Sequence, residues 1–408
     1  MNRAAMAARV LAVWVAAAGG AAWAQPGHSK GEGSGRGPRL VENVDAPFHA
    51  KPAAALPGVV RAVAVASCVR QNRPAPVLGL IAEQKPDLFV WLGDNIYADT
   101  TDAGLFRSRY HELARQDGFA KLWAGVPMLA TWDDHDFGKN DGGREFEGKP
   151  LAQKLFAEFW QLPADEPART RADGIYHSRV IGPEGRRVQV ILLDTRTNRS
   201  PLAEHGGGTR ASAEYPGPYA ASAETGTTLL GEAQWAWLEE QLRQPAEVRL
   251  IASSVQFVSE EHRYERWANF PAERLRLIRL INTTGAKGVI VLSGDRHRGE
   301  LSELRPGAAT VTPPTPEAPE PRIAPAADQP AYPLWDLTAS NLNQGDRPEI
   351  PEKNAHRRGA LVCPENYGWV RIEWDEPGVP ITLEVRAAKD GRVIETQTVK
   401  LEGLRPKA

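Results

Sequence analysis

The chain has 408 residues, 42% of them apolar and 25% charged, which suits one large or two average domains with a substantial core and excludes disorder along its whole length. Lys and Arg (49) nearly balance Asp and Glu (51), and the cations gather in no single run, so the footprint of a nucleic-acid binder is missing and no nucleic acid is expected as a partner.

Residues 1–24 read as a secretory signal peptide. Arg3 and Arg9 come early, Val10 to Ala18 is wholly apolar, Gly19-Gly20 breaks the run and Ala22-Trp23-Ala24 fits a small-x-small cleavage site. The apolar run is too short to span a bilayer, and no twin arginine precedes it. Export by the general secretory route to the periplasm or medium is therefore expected, with no transmembrane segment. Residues 25–56 are rich in Gly, Ser, Pro and Ala without apolar periodicity and read as a flexible leader.

From there the chain reads as one α/β domain over residues 57–405. Val59 to Ala66 predicts a strand, Pro76 to Gln84 a helix and Asp87 to Leu92 a second, parallel strand. Pro127 to Thr131, Arg187 to Leu193, Val248 to Ser254 and Lys287 to Leu292 also have strand character, and Leu151 to Trp160, Gly231 to Arg243 and Ala272 to Asn282 are the clearest helices. Residues 200–228 and 306–333, rich in Gly, Ala, Ser and Pro, interrupt the pattern and are expected to be surface loops, the second partly polyproline II. Tyr367 to Trp374, Ile381 to Ala387 and Val393 to Leu401 alternate like antiparallel strands joined at Pro377-Gly378 and Asp390-Gly391. The product is expected to work as a monomer.

Reactive side chains follow directly on apolar strands: Cys68 and Arg70 after the first, Asp94 and Tyr97 after the second, Asp133, Asp134, His135 and Asp136 after the third, and Asp295, Arg296 and His297 after the run ending at Leu292. In open α/β sheets such ends converge on one crevice. So many ionisable groups in one place call for positive charge among them, and a metal pair supplies it. Two readings of Cys68 stay open, a metal ligand or a disulfide with Cys363, the other cysteine of the chain. Asp133 and Asp136 could ligate, orient His135 or cap a turn, and Asp194 with Arg196 is open between a structural ion pair and a substrate role.

Gly93-Asp94-Asn95-Ile96-Tyr97, Trp132-Asp133-Asp134-His135-Asp136 and Gly294-Asp295-Arg296-His297, with Cys68 before them and Leu193-Asp194-Thr195-Arg196 between, resemble the ordered blocks of the PhoD-like alkaline phosphatases, within the calcineurin-like metallophosphoesterases. The resemblance implies two facing mixed β-sheets flanked by helices, a four-layer sandwich. It also implies a binuclear or larger metal centre of Fe³⁺ with Ca²⁺, with Zn²⁺ or Mn²⁺ as alternatives. Asp94 would bridge the metals, with Cys68, Tyr97, Asp134, Asp295 and His297 as ligands or immediate neighbours and Asn140 a further candidate. Activated water would attack the phosphorus of a small phosphate mono- or diester. His135 would protonate the leaving alkoxide, and Arg70, Arg196, Arg296 or Arg298 would hold phosphate oxygens. A phospholipase D-like diesterase and a noncatalytic exported metal-binding protein are the competing readings. The sequence departs from the superfamily where Ile251-Ala252-Ser253-Ser254-Val255-Gln256 carries no histidine, the nearest being His262.

Overall fold

The computed structural model describes residues 45–205, 212–314 and 320–406. The expected signal peptide and the leader up to residue 44 lie outside them. The end of the leader is not loose: His49 stacks on Trp123 with ring centroids 3.7 Å apart, and Phe48 meets the edge of Phe159.

The chain opens with β1 (Ala62–Ala66), α1 (Val77–Gln84) and β2 (Leu88–Leu92), the expected parallel unit, with Val63 opposite Leu88. Lys85 in the left-handed region ends α1 and turns the chain into β2. Helices α2 (Ala103–Ala114) and α3 (Phe119–Gly125) lead to β3 (Met128–Thr131), which adds in parallel to β2, and the one-turn α4 (Asp134–Phe137) follows at once, then α5 (Lys149–Phe159). A second sheet starts with β4 (His177–Ile181), antiparallel to β5 (Val188–Leu192). Helix α6 (Glu232–Arg243), β6 (Val248–Ala252), α7 (Pro271–Thr284) and β7 (Val289–Ser293) extend it in parallel. Next come β8 (Gly299–Leu304), a small hairpin of β9 (Thr310–Thr312) and β10 (Arg322–Ile323), and β11 (Leu334–Ala339), which pairs with both β7 and β8. The chain returns to the first sheet with β12 (Asn366–Ile372), β13 (Pro380–Ala387) and β14 (Val393–Lys400).

The two six-stranded sheets run β14-β13-β12-β1-β2-β3 and β4-β5-β6-β7-β11-β8. In β1, Val63 and Val65 enter a core that both sheets share, while Ala64 and Ala66 join a second core with α1, α2, α3 and α5, so the alternation of the strand divides the two layers. Helices α6 and α7 bury Trp235, Leu238, Ile278 and Ile281 against the second sheet. This is the expected arrangement of two mixed sheets with helices outside. The reading of 306–333 as irregular loop is corrected at its centre, where β9 and β10 pair. Strand β8 has no apolar pattern in its sequence, GELSEL, yet all six residues are buried. Glu300 pairs with Arg357 and Glu303 with Arg358, which lets polar residues occupy a strand that apolar patterning cannot reveal.

Candidate metal centre

The carboxyl ends of β1, β2, β3 and β7 open onto one place. The backbone there is drawn tight: of nine non-glycine residues with positive φ among those described, Cys68, Asp94, Asp99, Asp141, Asp295 and His297 belong to this site. Two glycines permit the close approach. A Cβ on Gly93 would lie 2.5 Å from Asp133 Cβ, and one on Gly294 would lie 2.6 Å from Ser67 Oγ, where the two sheets meet.

Four groups of donors form there, each with ligand atoms within 4.8 Å of one another: Cys68, Asp94 and His297; Asp94, Asp134 and His135; Asp133, Asp134 and Asp295; Asp134, Asp141 and Glu265. Asp94 occurs in the first two groups and Asp134 in the last three. Cys68 Sγ donates to Asp94 Oδ2 at 3.3 Å, and Tyr97 Oη donates to the same oxygen at 3.2 Å while lying 3.0 Å from His297 Nε2. Both cysteines are free thiols, so the disulfide alternative falls.

Burial pushes Asp94 well above the usual carboxylate range, and the neighbouring Asp134 pushes it further. Burial and the charges of Asp133, Glu265 and Asp134 do the same to Asp295, and burial raises the Cys68 thiol and the Tyr97 phenol. Burial works against charge on His135, but Asp134, Asp94 and the hydrogen bond to Asp99 outweigh it and hold its pKa well above the imidazole range. His297 goes the other way, driven down by burial and then by Arg347, and is neutral. Asp94 Oδ1, Asp133 Oδ2 and Asp295 Oδ2 are buried with no hydrogen-bond partner. Buried carboxylate oxygens without donors, beside a thiol, a phenol and a neutral imidazole, are what a cation needs and what a metal-free core avoids. The residues therefore fit a metal centre, and their mixed hard and soft donors suit more than one kind of ion.

Other expected residues separate from these. Asn140 is exposed on the turn after α4, whereas its neighbour Asp141 joins the cluster and donates its backbone N–H to Asp134 Oδ2 at 2.7 Å. Asp136 is a scaffold: its carboxylate accepts from the backbone N–H groups of Asp133, Asp94 and Asn95, which ties the β2 and β3 loops together. Asp194 accepts from the backbone of Arg196 and Thr197 and caps that turn, so it makes no ion pair with the Arg196 guanidinium. Arg196 was expected to hold phosphate; instead it is fully buried, with Nε 2.6 Å from Asp133 Oδ1 and Nη1 2.7 Å from both Glu265 oxygens. Arg296 is similarly held by Glu352 at 2.7 Å. Of the three, Arg70 keeps its guanidinium free of carboxylates, 4.3 Å over the Tyr97 ring. Where the superfamily histidine is missing, Ser254 Oγ donates to Asp133 Oδ1 at 2.6 Å, and His262 turns away to Gln256 Oε1 at 2.8 Å.

Replacing Arg196 by Met should cost about 3–5 kcal/mol, because Asp133 would be left as an unpaired buried charge and Glu265 would keep only the longer contact to Arg199. Urea unfolding of the variant, and of the Arg196→Met/Asp133→Asn pair, checks this, since removing Asp133 as well should recover part of the loss.

A profile of the PhoD-like phosphatases matches residues 63–359. The chain belongs to that family. It is 24% identical over 262 residues to alkaline phosphatase D of Bacillus subtilis (strain 168), a match that takes in 55% of this chain and 43% of that protein's length. Among solved structures, PhoD superposes with a TM-score of 0.59 at 19% identity, covering 87% of this chain and 75% of the other. A purple acid phosphatase from yellow lupin (Lupinus luteus) seeds does so at 0.51 and 12% identity, covering 84% and 54%. At these identities both likenesses concern the fold.

In this member of the family several site residues had no sequence signal. Asp99 holds His135 Nδ1 at 2.7 Å from a short loop two residues past Tyr97, and Glu265 sits in an irregular stretch between β6 and α7. The loop after β11 is the larger omission. Ser340 Oγ lies 3.2 Å from Cys68 Sγ, Gln344 Nε2 donates to Tyr97 Oη at 2.5 Å, and Arg347 Nη2 donates to His297 Nδ1 at 2.6 Å. A run of polar residues after a strand is the available signal, but β11 lies behind the Pro-rich stretch with Asp336 at its centre, which hides its strand character.

Proposed function

We propose that this protein is an exported, metal-dependent phosphoesterase that hydrolyses small phosphate mono- or diesters. The observation that carries the reading is the set of buried, donorless carboxylate oxygens on Asp94, Asp133 and Asp295 beside a His135 held in its charged form. Family membership supports the phosphoester chemistry, and the signal-like residues 1–24 support export. No helix among the described residues is long and apolar enough to cross a membrane.

Cations held by Asp94 with Cys68, His297, Asp134 and Asp295 would supply a seat for phosphoryl oxygens and acidify an attacking water, with Fe³⁺ and Ca²⁺ the expected pair. The chain's own groups do the rest. Arg70 binds a nonbridging phosphate oxygen from its place over Tyr97. Asp99 fixes the His135 ring through Nδ1, so Nε2 carries the proton to be delivered; as the P–O bond to the alcohol breaks, that proton passes to the leaving oxygen. Asp136 and Arg196 keep the loops and carboxylates in register.

The test is hydrolysis of a chromogenic phosphomonoester, a phosphodiester and a choline phospholipid by the mature protein, after chelation and after return of Fe³⁺ with Ca²⁺, Zn²⁺ or Mn²⁺. Metal-restored turnover of the small esters is the expected result, and His135→Asn should lower kcat about a hundredfold or more with metal content unchanged. Turnover of the phospholipid alone would point to the phospholipase D-like alternative. Stoichiometric metal without turnover of any ester would sink the enzyme reading in favour of a metal-binding protein.

A further inference from the structure

The arginines of the site divide by partner. Arg196 and Arg199 meet Glu265, and Arg296 meets Glu352. Arg70, Arg298 and Arg347 make no ion pair with a carboxylate among the described residues. Arg70 Nε donates to Gln344 Oε1 at 2.9 Å. Arg298, only 8% exposed, donates from Nη1 to the Cys363 sulfur at 3.1 Å, a weak acceptor for a full charge. Arg347 reaches His297 with Nη2, and its Nε is buried with no partner at all.

One loop gathers the three. Asn343 Oδ1 accepts from the Arg70 backbone at 2.7 Å, the Ser340 backbone donates to Arg298 O at 3.1 Å, and Arg347 closes the same segment. Arg347 donates its backbone N–H to Cys363 O at 2.9 Å, on the residue whose sulfur Arg298 meets, and Gln344 joins Arg70 to Tyr97 Oη, 3.0 Å from the His297 ring that Arg347 holds. A guanidinium withdrawn from water without a counter-ion is costly, for the buried Arg298 most and for the half-buried Arg70 and Arg347 less, and Arg196 shows that this fold supplies carboxylates where an arginine is structural. The missing counter-ion is an arriving anion.

We propose that Arg70, Arg298 and Arg347 form a cationic clamp on the His297 side of the metal cluster that makes the site prefer dianionic phosphomonoesters over monoanionic phosphodiesters, with Arg347 the residue that decides the preference. This rests on the phosphoesterase reading. A monoester brings a second negative charge and one more free oxygen, and a guanidinium takes such oxygens through paired N–H donors. A diester replaces that oxygen with an uncharged ester group and leaves part of the clamp unpaired.

The experiment compares kcat/KM for p-nitrophenyl phosphate and bis(p-nitrophenyl) phosphate in the metal-loaded mature protein, Arg347→Gln and Arg298→Gln, with metal content measured on each. The native protein should favour the monoester. Arg347→Gln should lower monoester kcat/KM about ten- to a hundredfold, the effect of losing a charge-assisted hydrogen bond, and lower the monoester-to-diester ratio at least about tenfold with metals retained. Arg298→Gln should lower the ratio in the same direction and decides the matter if Arg347→Gln sheds metal through His297. Inorganic phosphate, titrated calorimetrically, should bind the variants correspondingly more weakly. A native preference for the diester, or a ratio unchanged in both variants, overturns the clamp. If the native protein turns over neither ester, the phosphoesterase reading has failed, and undiminished phosphate binding by both variants would overturn the clamp as well.

Discussion

Asp94→Asn should abolish metal-dependent ester hydrolysis, lowering kcat/KM about a thousandfold or more, while the protein stays folded. Asp94 is shared between the group with Cys68 and His297 and the group with Asp134, so one substitution weakens both halves of the centre. The transition-state charge stabilisation that metal ions provide is several kcal/mol, and each 1.36 kcal/mol is tenfold in rate. Stability should not suffer in the metal-free form, because burial and Asp134 disfavour charge on Asp94, and an amide of the same shape removes that cost. The amide also keeps an oxygen to accept from Tyr97 and Cys68. The contrast with Arg196→Met is the diagnostic feature. One variant loses activity without losing stability, the other loses stability first, and metal analysis with urea unfolding on both separates a ligand from a scaffold residue. An Asp94→Asn protein that retains full activity would remove Asp94 from the centre.

How much of this was legible in the sequence depended on whether a residue stood next to an apolar strand. Asp94, Asp134, Asp295 and His297 follow Leu92, Thr131 and Ser293 within a few positions, and β2, β3 and β7 are short apolar runs, so local pattern located them. The partners that determine their protonation came from elsewhere. Glu265 lies in an irregular stretch that reaches the site because Gln256 and Arg266 bridge there. Arg347 depends on β11, whose LWDLTA sequence has an acid at its centre; Asp336 accepts from the backbone of Phe257 and Val258 and from Ser293, a long-range set that no window of the sequence displays. The arginines show the same limit. Arg70, Arg196 and Arg296 look alike as strand-end cations, and only the carboxylates around them, brought from residues 133, 265 and 352, tell a clamp from a brace. Charge type is written locally, whereas charge compensation belongs to the fold.

Because compensation is incomplete without cations, the chelated protein should lose stability as pH rises from 6.5 to 8.5, and the loaded protein should not. Burial raises Asp133 to about 7, Asp136 to about 8 and Asp141 to about 7, and Asp94 and Asp295 well above the carboxylate range. In the unfolded chain all five titrate near 3.8. The folded form therefore holds protons that the unfolded form has lost, and a group of this kind contributes stability at low pH that disappears as pH climbs through its folded value. His135, raised as well, acts in the same sense. The half-buried His49 and His297 and the buried His177 and His262 are lowered and act in the opposite sense, but mainly below their ordinary value of 6.5, which is why the window begins there. Several kcal/mol are at stake across the window, and at about 2 °C per kcal/mol the melting temperature of chelated protein should drop by about 10 °C. Bound cations take the place of those protons and carry more charge, so metal-loaded protein should melt higher throughout and change little over the same window. Differential scanning calorimetry at both pH values, with and without chelator, reads this directly. A chelated protein whose melting temperature is flat or rises with pH would mean that the acidic cluster is neutralised by the chain itself, and the metal centre would lose its physical basis.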